Sequence, residues 1–372
     1  MKINSFKLER YFAKYEFSVK YLLSSSDCDG LEVKELLKLA DDETKKMWNE
    51  LKLGYTESLG LPLLRQEIAK LYQEITSDNI LVVAPEEGIF ITMNSILNKG
   101  DHVICVYPGY QSLYEIAESL GCEVTKWELD EENGWSLDLS FLEKNIKKNT
   151  KLIVINLPHN PTGTLISKDD FQRIINLAKE NNIYLFSDEM YFLLEFSSSD
   201  RLPSASGIYE KAISLFGMSK TFGMAGVRIG WIVTKDRALH QKLVEFRDYT
   251  TICSSAPSEI LALIALRAKD TIIQNHLKRI NRNLKILDGF FDKYKNLFNW
   301  VRPKAGTIGF PKLNLETSSF DFCENLVKET GILLLPSTVY DYDNKHFRLG
   351  FGRENMPEAL QEFESYVQKK LT

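Results

Sequence analysis

Residues 214–231 read SLFGMSKTFGMAGVRIGW. An apolar run from Ser214 to Met218 leads straight into Ser219 and Lys220, and a second cation, Arg228, follows inside VRIGWIV, which itself reads as a buried strand. A cation placed among apolar side chains is costly unless a charged or covalent partner compensates it. The strands on either side supply candidates for both partners.

From about residue 79 to 234, short β-rich runs alternate with amphipathic helical stretches. NILVVA (79–84), HVICVY (102–107), KLIVIN (151–156), IYLFSD (183–188), AISLFG (212–217) and VRIGWIV (227–233) lack polar alternation, as strands covered on both faces do. Between them, IFITMNSILN (89–98) and DDFQRIINLAKEN (169–181) carry helical periodicity. The pattern predicts an α/β fold with a mainly parallel sheet sandwiched by helices. After Pro257 a long helical stretch runs to Tyr294, followed by short strands and a last helix, MPEALQEFESYVQKK (356–370). This change of texture predicts a second, smaller α+β domain, with a large domain over 42–268 and a small one built from 1–41 and 269–372.

Composition narrows the function classes. The 372 residues are 44% hydrophobic and 26% charged, with a net charge of −5 and no long basic run, so the electrostatic footprint of a nucleic-acid or membrane-surface binder is missing. The start, MKINSFKLERYFAKYEF, has scattered charges and no apolar core, unlike a signal peptide or anchor. Cys28, Cys105, Cys122, Cys253 and Cys323 form no CxxC pair, which suggests reduced thiols and a cytoplasmic location. The histidines form no ligand-spaced cluster, and HExxH, Walker and GxGxxG patterns are absent. No metal is expected.

In open parallel sheets, ligands sit beyond the carboxyl ends of the strands. Here those ends are polar: KLIVIN runs into LPHNPTG, IYLFS into Asp188, Glu189, Met190 and Tyr191, and AISLFGM into Ser219 and Lys220. A desolvated lysine has a lowered pKa and attacks carbonyl carbon; a snorkelling surface lysine is the bland alternative. Asp188 after an apolar strand reads as a structural ion pair or cap, or as the counter-ion of a protonated pyridine nitrogen. HNPTG (159–163) is a turn signal, and after a parallel strand its Asn160 is placed to hydrogen-bond a ring hydroxyl that Tyr191 also reaches. Arg228 suits a phosphate held bidentately. A helix beginning at Pro85 offers its N-terminal amides to the same anion, with Glu86 and Glu87 required to point away.

Taken together, GYTESLG (54–60), YPGY (107–110), NLPHNPTG (156–163), SDEMY (187–191), SKTFGMAGVRIG (219–230) and HFRLGFG (346–352) resemble the class I/II aminotransferases of pyridoxal-phosphate fold type I, in order and spacing, from about residue 50 to the C-terminus. The resemblance implies a seven-stranded-type sheet and pyridoxal 5'-phosphate as cofactor. It implies transfer of an amino group between an amino acid and a 2-keto acid through a Lys220 Schiff base. Asp188 is then the pyridine partner, Asn160 and Tyr191 contact the ring hydroxyl, and Tyr110 stacks on the ring. Ser219, Arg228 and the Pro85–Glu86 helix start hold the phosphate, joined by Tyr55 from the second subunit of a homodimer, and Arg348 grips the substrate carboxylate. The chain departs from the family pattern at Ala84-Pro85-Glu86 and at Gly217, where a phosphate-binding serine is usual, so the phosphate cup has fewer side-chain donors. YLLSSSDCDGL (21–31) replaces the usual glycine-containing entry loop, which puts Ser26 and Asp27 at the substrate. That segment resembles capreomycidine-synthase-like enzymes, implying an unusual or cationic amino acid. A pyridoxal-phosphate lyase or cyclase and a non-catalytic ligand sensor are the alternative readings.

Overall fold

The computed structural model describes residues 2–371. Its large sheet has the order β1–β8–β7–β6–β5–β2–β3–β4, with β1 Ile80–Val83, β2 His102–Tyr107, β3 Glu123–Asp130, β4 Ser136–Leu137, β5 Thr150–Asn156, β6 Tyr184–Asp188, β7 Ala212–Gly217 and β8 Gly230–Val233. β3, β2, β5, β6 and β7 pair in parallel, β8 is antiparallel to both β7 and β1, and the two-residue β4 folds back on β3. The mainly parallel α/β sheet is thus present, seven strands plus a short hairpin. All six predicted strands form, and β1, β2, β7 and β8 are buried at every position. β3 was not anticipated. It lies toward the sheet edge with half-exposed residues, so its sequence, EVTKWELD, lacks the continuous apolar signal of a central strand.

Helices cover both faces. The helix Lys168–Glu180 starts where Ser167 accepts the Asp170 amide (3.0 Å), and Phe171, Ile174, Ile175 and Ala178 form its buried stripe. The stretch after Pro257 is two helices rather than one, Ala256–Arg267 and Lys269–Lys293, broken at Ala268. The first is buried along most of its length against the sheet, whereas the second carries Ile280, Leu284, Leu287 and Phe291 into another core, so the chain turns between them. That core surrounds β9 Phe298–Asn299 paired with β11 Lys312–Leu313, and the three strands β10 Ile308–Gly309, β13 Phe347–Gly350 and β12 Leu335–Pro336.

Two glycine contacts seat the elements that carry the cavity described below. Pro85, first residue of the helix Pro85–Ile96, rests on the strand backbones: a Cβ on Gly217 would lie 2.8 Å from Gly230 Cα and 3.3 Å from Pro85 Cγ, and one on Gly230 would lie 2.8 Å from Pro85 Cγ. Close packing therefore accounts for glycine at position 217. On the other side of the cavity, the N-terminal segment crosses the small sheet, with Tyr21 bridging Ile332 and the Gly350 amide donating to Leu23 O (2.8 Å). A side chain at Gly350 would run into the Ser25 carbonyl, a backbone atom that cannot swing aside. Gly350→Ala is expected to destabilise the chain by about 1–3 kcal/mol, read as a lowered thermal unfolding midpoint.

Candidate active site

The carboxyl ends of β5, β6 and β7, the start of the helix Pro85–Ile96, the N-terminal helix Lys7–Tyr15 and β13 converge on a cavity of about 380 Å³. Lys220, Asp188, Tyr191, Pro85, Glu86, Tyr110, Asn160, Ser219, Arg228, Arg348, Ser26 and Asp27 all line it. Tyr55 does not; it is 92% exposed on the surface.

Lys220 lies beyond the end of β7, and its Nζ donates to Ser26 Oγ (2.8 Å). Burial pushes its amine below the ordinary lysine value, and the nearby Asp27 carboxylate only partly offsets this. Asp188 is the last residue of β6, 5% exposed, with Oδ1 accepting the Met190 amide (3.1 Å). Burial raises its carboxyl to about 6 despite that hydrogen bond and the attraction of Lys220. Asn156 ties the strand ends together: its Nδ2 donates to Asp188 O (3.1 Å) while its Oδ1 accepts the Asn160 amide (2.7 Å).

Arg348 reaches the cavity from β13 and is 1% exposed. Its Nε and Nη2 donate to Ser24 O (3.1 and 2.9 Å), and its Nη1 donates to Tyr340 Oη (2.6 Å) and Asn160 Oδ1 (3.3 Å). None of these is an anion, and among the described residues Arg348 forms no ion pair. A buried guanidinium balanced only by neutral oxygens suits an incoming carboxylate. Tyr191 Oη donates to Ser26 O (3.0 Å), as does Thr307 Oγ1 (2.9 Å), so the Ser24–Asp27 segment is pinned over Lys220.

Two expectations need correction. Arg228 is not inside a buried strand. It precedes β8, after a turn at Ala225–Val227, adopts a left-handed backbone (φ 54°) and is exposed, with Nη1 on Ala225 O (3.0 Å). The strand begins two residues later because Gly230, not Arg228, packs against β7. Glu86 does not turn away: it lines the cavity and accepts from Ser112 Oγ (3.3 Å), and burial raises its carboxyl to about 7. Glu87 does turn aside, to Thr250 and Thr251.

The sequence reading passed over Glu9, Phe12 and Glu16, which also line the cavity. Their i, i+3, i+7 spacing, which places them on one helix face, was the available signal.

The donor set fits a phosphorylated pyridine aldehyde. A desolvated amine and a buried carboxyl share the floor, while an unpaired guanidinium and the N-terminus of a twelve-residue helix stand at the same cavity. Fold and donor set together define a pyridoxal-phosphate-dependent enzyme of fold type I. The chain belongs to the aminotransferase class I and II family, whose model matches residues 18–363. Among curated relatives, an aspartate aminotransferase of Sulfurisphaera tokodaii is 29% identical, with 89% of this chain and 86% of the relative covered. A capreomycidine synthase of Streptomyces vinaceus is 26% identical, covering 93% and 88%. A crystal structure of a PLP-dependent aminotransferase from Streptococcus suis superposes with a TM-score of 0.93 at 31% identity over 99% of both chains. The enzyme is a pyridoxal-phosphate-dependent aminotransferase, and no described helix is long and apolar enough to cross a membrane.

The raised Asp188 carboxyl fixes the sign of a pH effect. Between an unfolded value near ~4 and a folded value of about 6, the native chain holds more protons than the unfolded one, so this contribution to stability falls as pH rises through that window. Cofactor-free protein should lose on the order of a few kcal/mol from this group between those limits. Asp188→Asn removes the loss, and thermal midpoints of both forms measured from pH 4 to 7 check it.

Proposed function

We propose that Lys220 joins the cofactor and is the acid–base group of the transamination, with Asp188, Asn160, Tyr191, Tyr110, Ser219, Arg228 and the helix start at Pro85 and Glu86 as its supporting set. The observation that carries this reading is the desolvated Lys220 amine facing a buried Asp188 at the strand ends. Pyridoxal 5'-phosphate, when bound, supplies an aldehyde that takes up the amino group and a ring that delocalises the charge left on Cα.

The residues divide the remaining work. Asp188, held by the Met190 amide, keeps a proton on the ring nitrogen. Arg348 orients the substrate through its carboxylate. Lys220, its amine left unprotonated by burial and not locked in an ion pair, is placed to remove the Cα proton and return it on the other side of the exchange. Asn160 and Tyr191 address the ring hydroxyl, and Tyr110 covers the ring face. Ser26 and Asp27, pinned by Tyr191, Thr307 and Arg353, close the substrate side and exclude water. Arg228 and Ser219 with the helix amides take the phosphate, and the neutral form of Glu86 tolerates it.

The same reading includes a homodimer in which Tyr55 completes the partner's phosphate site. Leu53, Tyr55 and Tyr249 are 84%, 92% and 91% exposed, more apolar surface than an isolated chain needs to show. It places the enzyme in the cytoplasm, which suits five unpaired cysteines. It keeps the division at 42–268 against 1–41 with 269–372, in which the N-terminal segment travels with the small sheet. The capreomycidine synthase among the relatives favours one second reading, a cyclase or lyase on the same residues. That activity releases cyclised product or ammonia without consuming a 2-keto acid.

Lys220→Ala should fold with an unchanged circular dichroism spectrum yet lose at least ~10²–10⁴ of kcat. Borohydride reduction of wild-type holoenzyme should fix the cofactor to the peptide containing Lys220, read by mass spectrometry; an unlabelled peptide removes the assignment. Sedimentation of the wild type should give twice the chain mass.

A further inference from the structure

Ser26 Oγ takes the hydrogen bond of the Lys220 amine (2.8 Å), and among the described residues that amine has no other hydrogen-bond partner and no ion pair. The nearby Asp27 carboxylate is engaged elsewhere, accepting from Ser25 Oγ and from Arg353 Nη2 (3.2 Å). A carboxylate partner favours the protonated amine, whereas a hydroxyl oxygen fixes the amine through one N–H and leaves its lone pair free for a proton. A lysine stem is long and flexible, so an amine without such an anchor spreads over many rotamers. Ser26 narrows that spread without adding charge.

The hydroxyl is itself held in place through the backbone. Ser26 O accepts Tyr191 Oη (3.0 Å) and Thr307 Oγ1 (2.9 Å), and the next carbonyl, Asp27 O, lies so close to Gly352 that a Cβ there would come within 2.5 Å of it. Two residues before Ser26, Ser24 O accepts both Nε and Nη2 of Arg348 (3.1 and 2.9 Å). One short segment therefore grips the carboxylate seat and the amine together. We infer that Ser26 is a positioning residue of the proton transfer, its hydroxyl setting the Lys220 amine at a fixed place relative to a substrate whose carboxylate lies on Arg348. This rests on the reading of Lys220 as the acid–base group and Arg348 as the anchor. Cα adjoins the carboxylate in every α-amino acid, so the placement serves the proton transfer whatever side chain the substrate carries. Displacing a reacting group by about 1 Å can cost ~10²-fold in rate.

Ser26→Ala removes the hydroxyl but keeps the carbonyl that Tyr191 and Thr307 hold, and Ser26→Thr restores a hydroxyl. The first measurement uses the cofactor-free full chain, in which acetic anhydride labels Lys220 and mass spectrometry of its peptide gives the pH midpoint of labelling. Loss of an acceptor disfavours the protonated amine, so Ser26→Ala should lower the midpoint by about half to one pH unit, and Ser26→Thr should return it toward wild type. The second uses holoenzyme with whichever of L-aspartate, L-glutamate and L-lysine converts the cofactor absorbance fastest, in its ordinary and 2-deuterated forms. Ser26→Ala should cut kcat about tenfold, with KM changed less than about twofold and a larger isotope effect, and Ser26→Thr should recover most of the loss. An unchanged labelling midpoint in Ser26→Ala overturns the proposal. So does a rise in KM with kcat intact, which makes Ser26 a substrate contact and leaves the aminotransferase reading standing. A wild-type holoenzyme that answers none of the amino acids overturns that reading, while the labelling midpoints still decide whether Ser26 holds the amine.

Discussion

Desolvation of one amine and one carboxyl at the ends of parallel strands is the constraint on which the rest of this structure depends. β6 and β7 deliver Asp188 and Lys220 to the rim because every preceding residue in β7, and all but the first in β6, is buried. The strands cannot end anywhere else without exposing that core. Burial moves the two groups toward neutrality in opposite directions, the lysine down and the aspartate up. Each is ready for a partner that the chain does not itself provide, and an electron-sink cofactor with a ring N–H and an aldehyde meets both needs.

Everything around that pair keeps the floor dry and the rim in register. Pro85 on the backbones of Gly217 and Gly230 brings a helix N-terminus within reach of the same cavity and leaves no room for a side chain at position 217. Asn156 couples the end of β5 to the end of β6 and to the Asn160 turn. On the far side, the small sheet and the N-terminal segment act as one wall. Arg348 is held by Ser24, Gly350 by Leu23, and Thr307 and Tyr191 by Ser26, so the residues over Lys220 are fixed by backbone contacts rather than by a loose loop.

Central features were legible from the residues because they obey one rule each. Continuous apolar runs marked the central strands, and polar strand ends marked the site. What escaped was decided by tertiary packing. Ala268 breaks a helical stretch although alanine is the best intrinsic helix former, because the helices on either side serve different cores. β3 escaped because an edge strand shows only part of the apolar signal. Arg228 was assigned to a strand that Gly230 in fact begins. The N-terminal helix escaped too: MKINSFKLERYFAKYEF showed only scattered charges, and the fold turns the Glu9, Phe12 and Glu16 face inward.

That inward face separates what the family establishes from what it leaves open. Transamination needs the floor, whereas discrimination among amino acids falls to the residues that face the substrate side chain. Here the wall carries Glu9, Glu16 and Asp27, with Arg353 hydrogen-bonded to Asp27 and Lys220 close enough to offset both Asp27 and Glu16.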